Sequence, residues 1–74
     1  MRFTDYTINI INYLGDRNKR LSPYVLILLN EQNVYYVVRI TQRKMYNVVY
    51  ATISMNLLLN YLEKNNYVEG TTNE

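Results

Sequence analysis

The sequence contains neither cysteine nor histidine. Without cysteine there can be no disulfide, and without both residues a zinc site loses its usual ligands. A chain of 74 residues buries only about 60% of the surface that its unfolded form exposes, so its core is marginal unless something reinforces it. Association with another chain is the reinforcement that remains. The sequence therefore predicts a homodimer or a complex with another protein.

Side chains for catalysis are also scarce. Cysteine and histidine are common nucleophiles and general bases, and the two serines are Ser22 and Ser54. Ser54 precedes an apolar helical pattern and is better explained as a helix cap. The carboxylates form no close pair, and two glycines do not make a phosphate-binding loop. We expect no enzyme activity, no cofactor, no metal and no small-molecule substrate.

Long hydrophobic segments are absent too. The longest apolar run covers residues 24–29, far below the ~20 residues of a spanning helix. Residues 1–5 lack the apolar core of a secretory signal. These features predict a soluble cytoplasmic protein without membrane association.

Tyrosine and asparagine are abundant: there are nine Tyr, one Phe and no Trp. AT-rich coding favours both residues, which points to a low-GC bacterium, a virus or a mobile element. The net charge of +2 is small for a dedicated nucleic-acid-binding domain.

The first segment has apolar residues at helical spacing. Thr7, Ile10, Ile11 and Leu14 would form the inward face of a helix that Thr4 or Asp5 caps and Gly15 ends. The alternative is a strand, because Tyr6, Ile8 and Ile10 alternate with polar residues.

Three β-rich runs follow, at residues 24–29, 34–41 and 45–53. The predicted turns between them are four polar residues each, at 30–33 and at 41–44, and the second turn shares Thr41 with the preceding run. They predict a three-stranded antiparallel meander. Ser54 would then cap a second helix, whose apolar positions are Met55, Leu58, Leu59 and Leu62. The fold class is α+β: one α-β-β-β-α domain over residues 1–67, with both helices on one sheet face and a flexible tail over 68–74.

Four-residue turns would place Leu29 opposite Val34 and Ile40 opposite Met45, which assigns a face to every strand residue. The predicted core face contains Val25, Ile27, Leu29, Val34, Tyr36, Val38, Ile40, Met45, Val49, Ala51 and Ile53. The predicted uncovered face contains Tyr24, Leu26, Leu28, Tyr35, Val37, Arg39, Tyr46, Val48 and Tyr50. A register slip of one residue would exchange the faces of a strand, and the third strand is the least constrained.

The predicted uncovered face is unusually rich in tyrosine. Tyrosine and arginine are enriched at protein interfaces, whereas a solvated sheet face normally carries Lys, Glu and Thr. The predicted partner-binding residues are Tyr24, Tyr35, Tyr46 and Tyr50 with Arg39 as polar anchor, and Arg43 and Lys44 as a basic rim. The alternative is an ordinary exposed face on which AT-rich coding has placed tyrosines. The uncharged run over residues 24–29 would also be an open sheet edge that a helix, a connection or another chain has to cover.

Nucleic acid is a competing partner, because Arg39, Arg43, Lys44 and Tyr46 mix basic and aromatic side chains. Arg17, Lys19 and Arg20 could join them. The helix–three strands–helix order resembles the double-stranded-RNA-binding domain. Such domains carry a lysine cluster at the start of the second helix, where this sequence has Ser54-Met55-Asn56.

The same layout, size and composition resemble small phage-encoded inhibitors, including certain anti-CRISPR proteins. This resemblance implies an accessory protein of a virus or mobile element that binds and inhibits a host protein in the host cytoplasm. Nucleic-acid binding and a structural homodimer are the alternatives.

Overall fold

The computed structural model describes residues 2–70. The elements in chain order are β1 (Phe3–Asp5), α1 (Thr7–Gly15), β2 (Lys19–Leu21), β3 (Val25–Asn30), β4 (Tyr35–Ile40), β5 (Tyr46–Thr52), α2 (Met55–Lys64) and β6 (Val68–Gly70). The α+β class and the α-β-β-β-α order are confirmed. Three short strands, β1, β2 and β6, were not predicted.

The main sheet has four antiparallel strands in the order β1-β3-β4-β5. Strands β2 and β6 form a separate two-stranded sheet. Side chains of both helices belong to one core cluster with residues of β3 and β4. The helices therefore lie on the same face of the main sheet, as predicted.

Ser54 caps helix α2, as predicted: its Oγ accepts from Leu57 N–H at 3.2 Å. The predicted cap of α1 by Thr4 or Asp5 is wrong, because the N-cap residue is Tyr6 and makes no side-chain cap hydrogen bond. Asp5 Oδ1 accepts instead from the backbone N–H of Thr7, the first helical residue, at 2.9 Å. The hydrogen bonds from Thr7 lower the pKa of Asp5. The helical interpretation of this segment is confirmed. Helix α1 buries Thr7, Ile10 and Leu14, as predicted, but leaves Ile11 exposed.

Two three-residue turns determine the register of the sheet. Asn30 N–H donates to Val34 O and Thr41 N–H to Met45 O, so each pair closes a loop of three residues instead of four. The third loop residue is left-handed in both turns, with φ 64° at Asn33 and 62° at Lys44. This is the geometry of a type I turn followed by one left-handed residue.

The side chain at the start of each turn fixes this geometry. Asn30 Oδ1 accepts from the backbone N–H groups of Gln32 and Val34, both at 2.9 Å. Thr41 Oγ1 accepts from Met45 N–H at 3.1 Å. Asparagine tolerates the left-handed conformation better than most residues, which suits position 33. The sequence prediction of four-residue turns is therefore wrong at both hairpins.

The first turn moves β4 by one residue against β3. Leu29 pairs with Tyr35 instead of Val34, and Ile27 pairs with Val37. Because side chains alternate along a strand, the shift exchanges the two faces of β4. Val37, which is fully buried, faces the helices, whereas Tyr36, Val38 and Ile40 lie on the other face.

A β-bulge then divides β5. The pairing changes from Val38 with Val48 to Val37 with Tyr50, so Val49 is the extra residue. Tyr46 and Val48, before the bulge, lie on the uncovered face, as predicted. After the bulge Tyr50 faces the helices and Ala51 does not, which reverses the prediction for this half of the strand.

The free edge of β3 is covered within the chain. Strand β1 pairs with Leu28–Asn30, and Tyr6 N–H donates to Ile27 O at 2.8 Å. The Thr7 hydroxyl accepts from Ile27 N–H at 3.0 Å and donates to Ile27 O at 3.3 Å. The predicted open edge is thus closed by β1 and the first residue of α1.

The segment after α2 returns to the body of the protein. Val68–Gly70 forms β6 and pairs with Lys19–Leu21 of β2. The sequence predicts a flexible tail over residues 68–74. The rest of that tail, residues 71–74, lies outside the described residues.

We expect Asn30→Ala to reduce the free energy of unfolding by about 1–3 kcal/mol, because two turn N–H groups lose their acceptor. For a domain of this size that corresponds to a fall in Tm of about 4–8 °C per kcal/mol. Thermal unfolding followed by circular dichroism measures it. Gln32→Ala is the control, with an expected change within about 0.5 kcal/mol. Equal stabilities of the two variants would contradict this account of the turn.

Candidate interaction surface

The helices cover one face of the main sheet. Ile10 and Leu14 of α1 and Leu58 and Leu62 of α2 pack in one core cluster, and each is at most 2% exposed. The sheet residues buried in the same cluster are Val25, Ile27 and Val37. No element among residues 2–70 forms a comparable layer on the opposite face.

We call that opposite surface the open face. The strand pairing and the alternation of side chains place twelve residues on it. Ten of them are apolar or tyrosine: Phe3, Tyr24, Leu26, Leu28, Tyr36, Val38, Ile40, Tyr46, Val48 and Ala51. The other two are Asp5 and Asn30. The Asp5 carboxylate, the one charged group among the twelve, is hydrogen-bonded to the start of α1, and the Asn30 side chain is hydrogen-bonded within its turn.

Large apolar groups of the open face are exposed to solvent. Tyr24 is 63% exposed, Tyr46 65% and Val48 61%, whereas Val38 at the centre is 3% exposed. Phe3 and Tyr36 meet edge to face with ring centroids 5.4 Å apart, and Asn30 Nδ2 donates to the Tyr36 hydroxyl at 3.2 Å. The open face is therefore a continuous apolar surface whose middle is already closely packed.

Its size follows from the strand geometry. Four strands at ~4.8 Å and about seven residues at ~3.3 Å give a footprint of roughly 400 Å². This is the range of the largest apolar patch of a typical monomer, which is often functional. It is about half of the ~800 Å² that each partner contributes to a standard interface.

Two of the predicted binding tyrosines lie on the covered face, which corrects the sequence prediction. Tyr35 contacts the Tyr6 ring at 5.5 Å between centroids, and burial, with Tyr6 nearby, raises the pKa of the Tyr35 phenol. Tyr50 stacks on Tyr61 at 4.2 Å with the rings nearly parallel. The three-residue turn accounts for the position of Tyr35 and the bulge for that of Tyr50.

Strand β5 is also held from the helix side. The Tyr61 hydroxyl donates to Val49 O at 3.3 Å, so a residue of α2 satisfies a carbonyl at the bulge. Burial, with smaller contributions from Tyr67 and Tyr50, raises the pKa of the Tyr61 phenol. This contact attaches α2 to the middle of β5 and stabilises the bulge.

The predicted cations lie beside the open face. Arg39 pairs with Val25 and Asn47 on the covered side, but its position near the end of β4 leaves it exposed. Arg43 and Lys44 are exposed in the β4–β5 turn. Of the seven predicted residues, Tyr24 and Tyr46 therefore share the open face, and Arg43 and Lys44 lie at its rim.

Arg39 contributes to a cleft of about 470 Å³ at the same end of the sheet. The cleft lies between the start of β3, the end of β4 and the residues after α2, where Asn65, Asn66 and Tyr67 line it. Its other lining residues include Tyr24 and Gln42. The cleft is a polar extension of the open face around its corner.

Two of the three cations of the second group, Arg17 and Lys19, make intramolecular contacts at the surface of the protein. Lys19 Nζ forms a salt bridge with Glu63, and the Arg17 guanidinium lies 4.0 Å from the centroid of the Tyr13 ring. Arg20 is opposite Glu69 in the β2–β6 pair. These residues are not placed with Arg43 and Lys44, so the structure does not join the two basic groups.

The sequence prediction missed half of the ten apolar and tyrosine residues of the open face: Phe3, Tyr36, Val38, Ile40 and Ala51. The available signal was the pair of turn sequences, Asn30-Glu31-Gln32-Asn33 and Thr41-Gln42-Arg43-Lys44. Each begins with a residue whose side chain can accept hydrogen bonds from the turn. The first also ends with asparagine, which favours a left-handed third loop residue.

No helix among residues 2–70 is long and apolar enough to cross a membrane. Within the same range, His, Cys, Asp and Glu side chains form no group of three or more that could hold a metal ion. Compared with protein-family models, with curated proteins and with solved structures, the chain gives no match.

We expect Tyr46→Ala and Tyr50→Ala to differ sharply in stability. Tyr46 is exposed, so its removal should change the free energy of unfolding by no more than about 0.5 kcal/mol. Tyr50 loses its stack on Tyr61 and leaves a cavity, which should cost about 2–4 kcal/mol. Urea unfolding at neutral pH measures both. A larger loss of stability for Tyr46→Ala than for Tyr50→Ala would contradict the position of the bulge.

Proposed function

We propose that this protein is a non-catalytic module that binds another protein through its open face. The observation that carries the proposal is a sheet face with ten apolar or tyrosine residues, one hydrogen-bonded carboxylate and no layer of helices over it among residues 2–70. When one face of an antiparallel sheet is exposed to water, the side chains on that face are normally polar. Tyrosine side chains supply apolar area and a polar end at low entropic cost, which suits a binding surface.

The shape of the face favours a protein over a small molecule. Strands at ~4.8 Å spacing make a flat, broad surface, whereas small-molecule sites are concave. Arg43 and Lys44 at the rim would add polar contacts and orient the partner, while the apolar centre would supply most of the binding free energy. Tyr24 and Tyr46 are the strongest candidates for energetic hot spots, because both are large and exposed.

The biological setting that we propose is an accessory protein of a virus or mobile element that inhibits a host protein in the host cytoplasm. It is supported by the abundance of Asn and Tyr in a short chain without cysteine. Inhibition would follow from occupation of a functional surface of the host protein, since no catalytic group is needed for steric occlusion.

Site-specific photo-crosslinking tests the binding surface. A photoreactive phenylalanine analogue replaces Tyr46 on the open face or, as control, Tyr13 on the exposed side of α1. In lysate of the cells that harbour the protein, we expect one stoichiometric crosslinked protein from position 46 and none from position 13. Leu28→Lys should reduce this crosslink at least about tenfold, because it buries a charge at the interface.

The opposite pattern, with a crosslink from position 13 alone, would contradict the proposal. Crosslinks of equal yield from both positions would also contradict it, because they would show non-specific contact. Thermal unfolding of each substituted protein verifies that the fold is retained.

Nucleic acid is the second candidate, favoured by Arg43 and Lys44 in an exposed turn beside the ring of Tyr46. For such a ligand we expect affinity to fall steeply with salt. Arg43→Ala with Lys44→Ala should then reduce the slope of log affinity against log salt by about 1 for each phosphate that is no longer bound. Fluorescence anisotropy with a labelled oligonucleotide measures this. Arg17→Ala is the control, and an unchanged slope in the double variant would remove this candidate.

A further inference from the structure

The two outer edges of the main sheet are built differently. The edge strand β1 has only three residues and carries Asp5, with Arg2 immediately before it. Shortness and charge are the usual protection of a sheet edge against pairing with another chain. Strand β5, at the opposite edge, has seven residues, Tyr46–Thr52, and contains neither charge nor proline. Its first three residues are all exposed.

Hydrogen bonding along the β4–β5 hairpin shows which backbone groups of β5 face outward. Thr41 N–H donates to Met45 O, so these two residues form a hydrogen-bonded pair. In an antiparallel ladder such pairs alternate with pairs that are not hydrogen-bonded. Asn47, opposite Arg39, therefore bonds to β4, while Tyr46 and Val48 direct their N–H and C=O groups away from the sheet.

The outward backbone N–H and C=O groups of Tyr46 and Val48 can pair with the same groups of a second copy. A two-fold axis perpendicular to the sheet, midway between Asn47 and Asn47 of a second copy, places Tyr46 opposite Val48 of the second copy and Val48 opposite its Tyr46. Both are hydrogen-bonded positions, so the pairing forms four backbone hydrogen bonds. The pairing ends before the bulge at Val49, where the regular ladder is interrupted. We propose that β5 pairs with β5 of a second copy, centred on Asn47, to form a continuous eight-stranded sheet.

The resulting assembly enlarges the surface for a partner. Rotation about an axis perpendicular to the sheet keeps both open faces on one side and both pairs of helices on the other. Two footprints of roughly 400 Å² then form one apolar surface of roughly 800 Å², the contribution of one side to a standard interface. This consequence rests on the proposed function, whereas the pairing itself rests on the β5 edge.

Three residue pairs are a small contact, so the dimer is weak in isolation and its formation depends on protein concentration. An interface well below ~1,200 Å² of total buried area is typical of transient association. A partner that spans both open faces would bind the dimer in preference to the monomer and shift the equilibrium toward it.

Amide hydrogen exchange measured by NMR over a range of protein concentrations tests the pairing. We expect exchange of the Tyr46 and Val48 amides to slow by about tenfold or more as the protein is concentrated, because a paired amide exchanges only after local opening. The Asn47 amide should exchange at the same rate throughout, since it is bonded within each copy. Sedimentation analysis of the same samples should show a monomer–dimer equilibrium.

Two substitutions at position 48 distinguish the contribution of the backbone N–H to dimerisation from that of the side chain. Val48→Pro removes an outward N–H and is compatible with an edge strand, so it should abolish the dimer while Asn47 remains protected. Val48→Ala also shortens the side chain but keeps the N–H, and it should dimerise. Equal dimerisation of these variants, or concentration-independent exchange at Tyr46 and Val48, would overturn the proposal.

Leu28→Lys, on the open face but far from β5, separates this inference from the proposed function. It should leave dimerisation intact and reduce partner crosslinking. If Leu28→Lys abolishes the dimer and Val48→Pro does not, two copies pair through their open faces and the edge model is wrong. Dimerisation that follows the expected pattern without any partner crosslink would refute the proposed function alone.

Discussion

The hydrogen bonds that the Asn30 and Thr41 side chains make within their turns determine which side of the sheet is left open. They close both hairpins with three-residue loops, and the loop length sets the register of β4 and β5. The register buries Val37 under the helices and turns Tyr36, Val38 and Ile40 to the other side. With the wrong loop length, the same strands would present a different surface. The two short turns therefore determine which residues form the open face.

The bulge at Val49 determines which side chains of β5 lie on each face of the sheet. It lets Tyr46 and Val48 remain outside while Tyr50 joins the stack with Tyr61. A regular β5 could not place Tyr46 and Tyr50 on opposite faces, because they are four residues apart. Because of the bulge, one strand supplies side chains to both the core and the open face. The bulge also limits the part of the β5 edge that can pair with another copy.

Much of the fold could be predicted from composition and periodicity. The apolar spacing of Leu58 and Leu62 and the β-rich runs are strong local signals, and they predict helix α2, the meander and the α+β class. The first segment fits a helix or a strand by its periodicity, and the structure shows a helix. The faces of β4 could not be obtained this way, because both of its faces carry large apolar or aromatic residues and the pattern fits either register. Strands β1, β2 and β6 have three residues each, too short for any periodicity to show. The sequence indicates an uncovered sheet face with tyrosines, but four of the nine residues that it assigns to this face, Tyr35, Val37, Arg39 and Tyr50, lie on the covered face.

Solvent accessibility measured residue by residue tests the central claim most directly. Paramagnetic relaxation enhancement by a soluble gadolinium chelate, read on methyl and aromatic protons of the dilute protein, compares the two faces. The account predicts strong enhancement at Tyr24, Tyr46 and Val48 and almost none at Val37, Ile27 and Leu58. Strong enhancement at Val37 together with protection of Tyr46 and Val48 would show that the helices cover the opposite face, and would contradict the account.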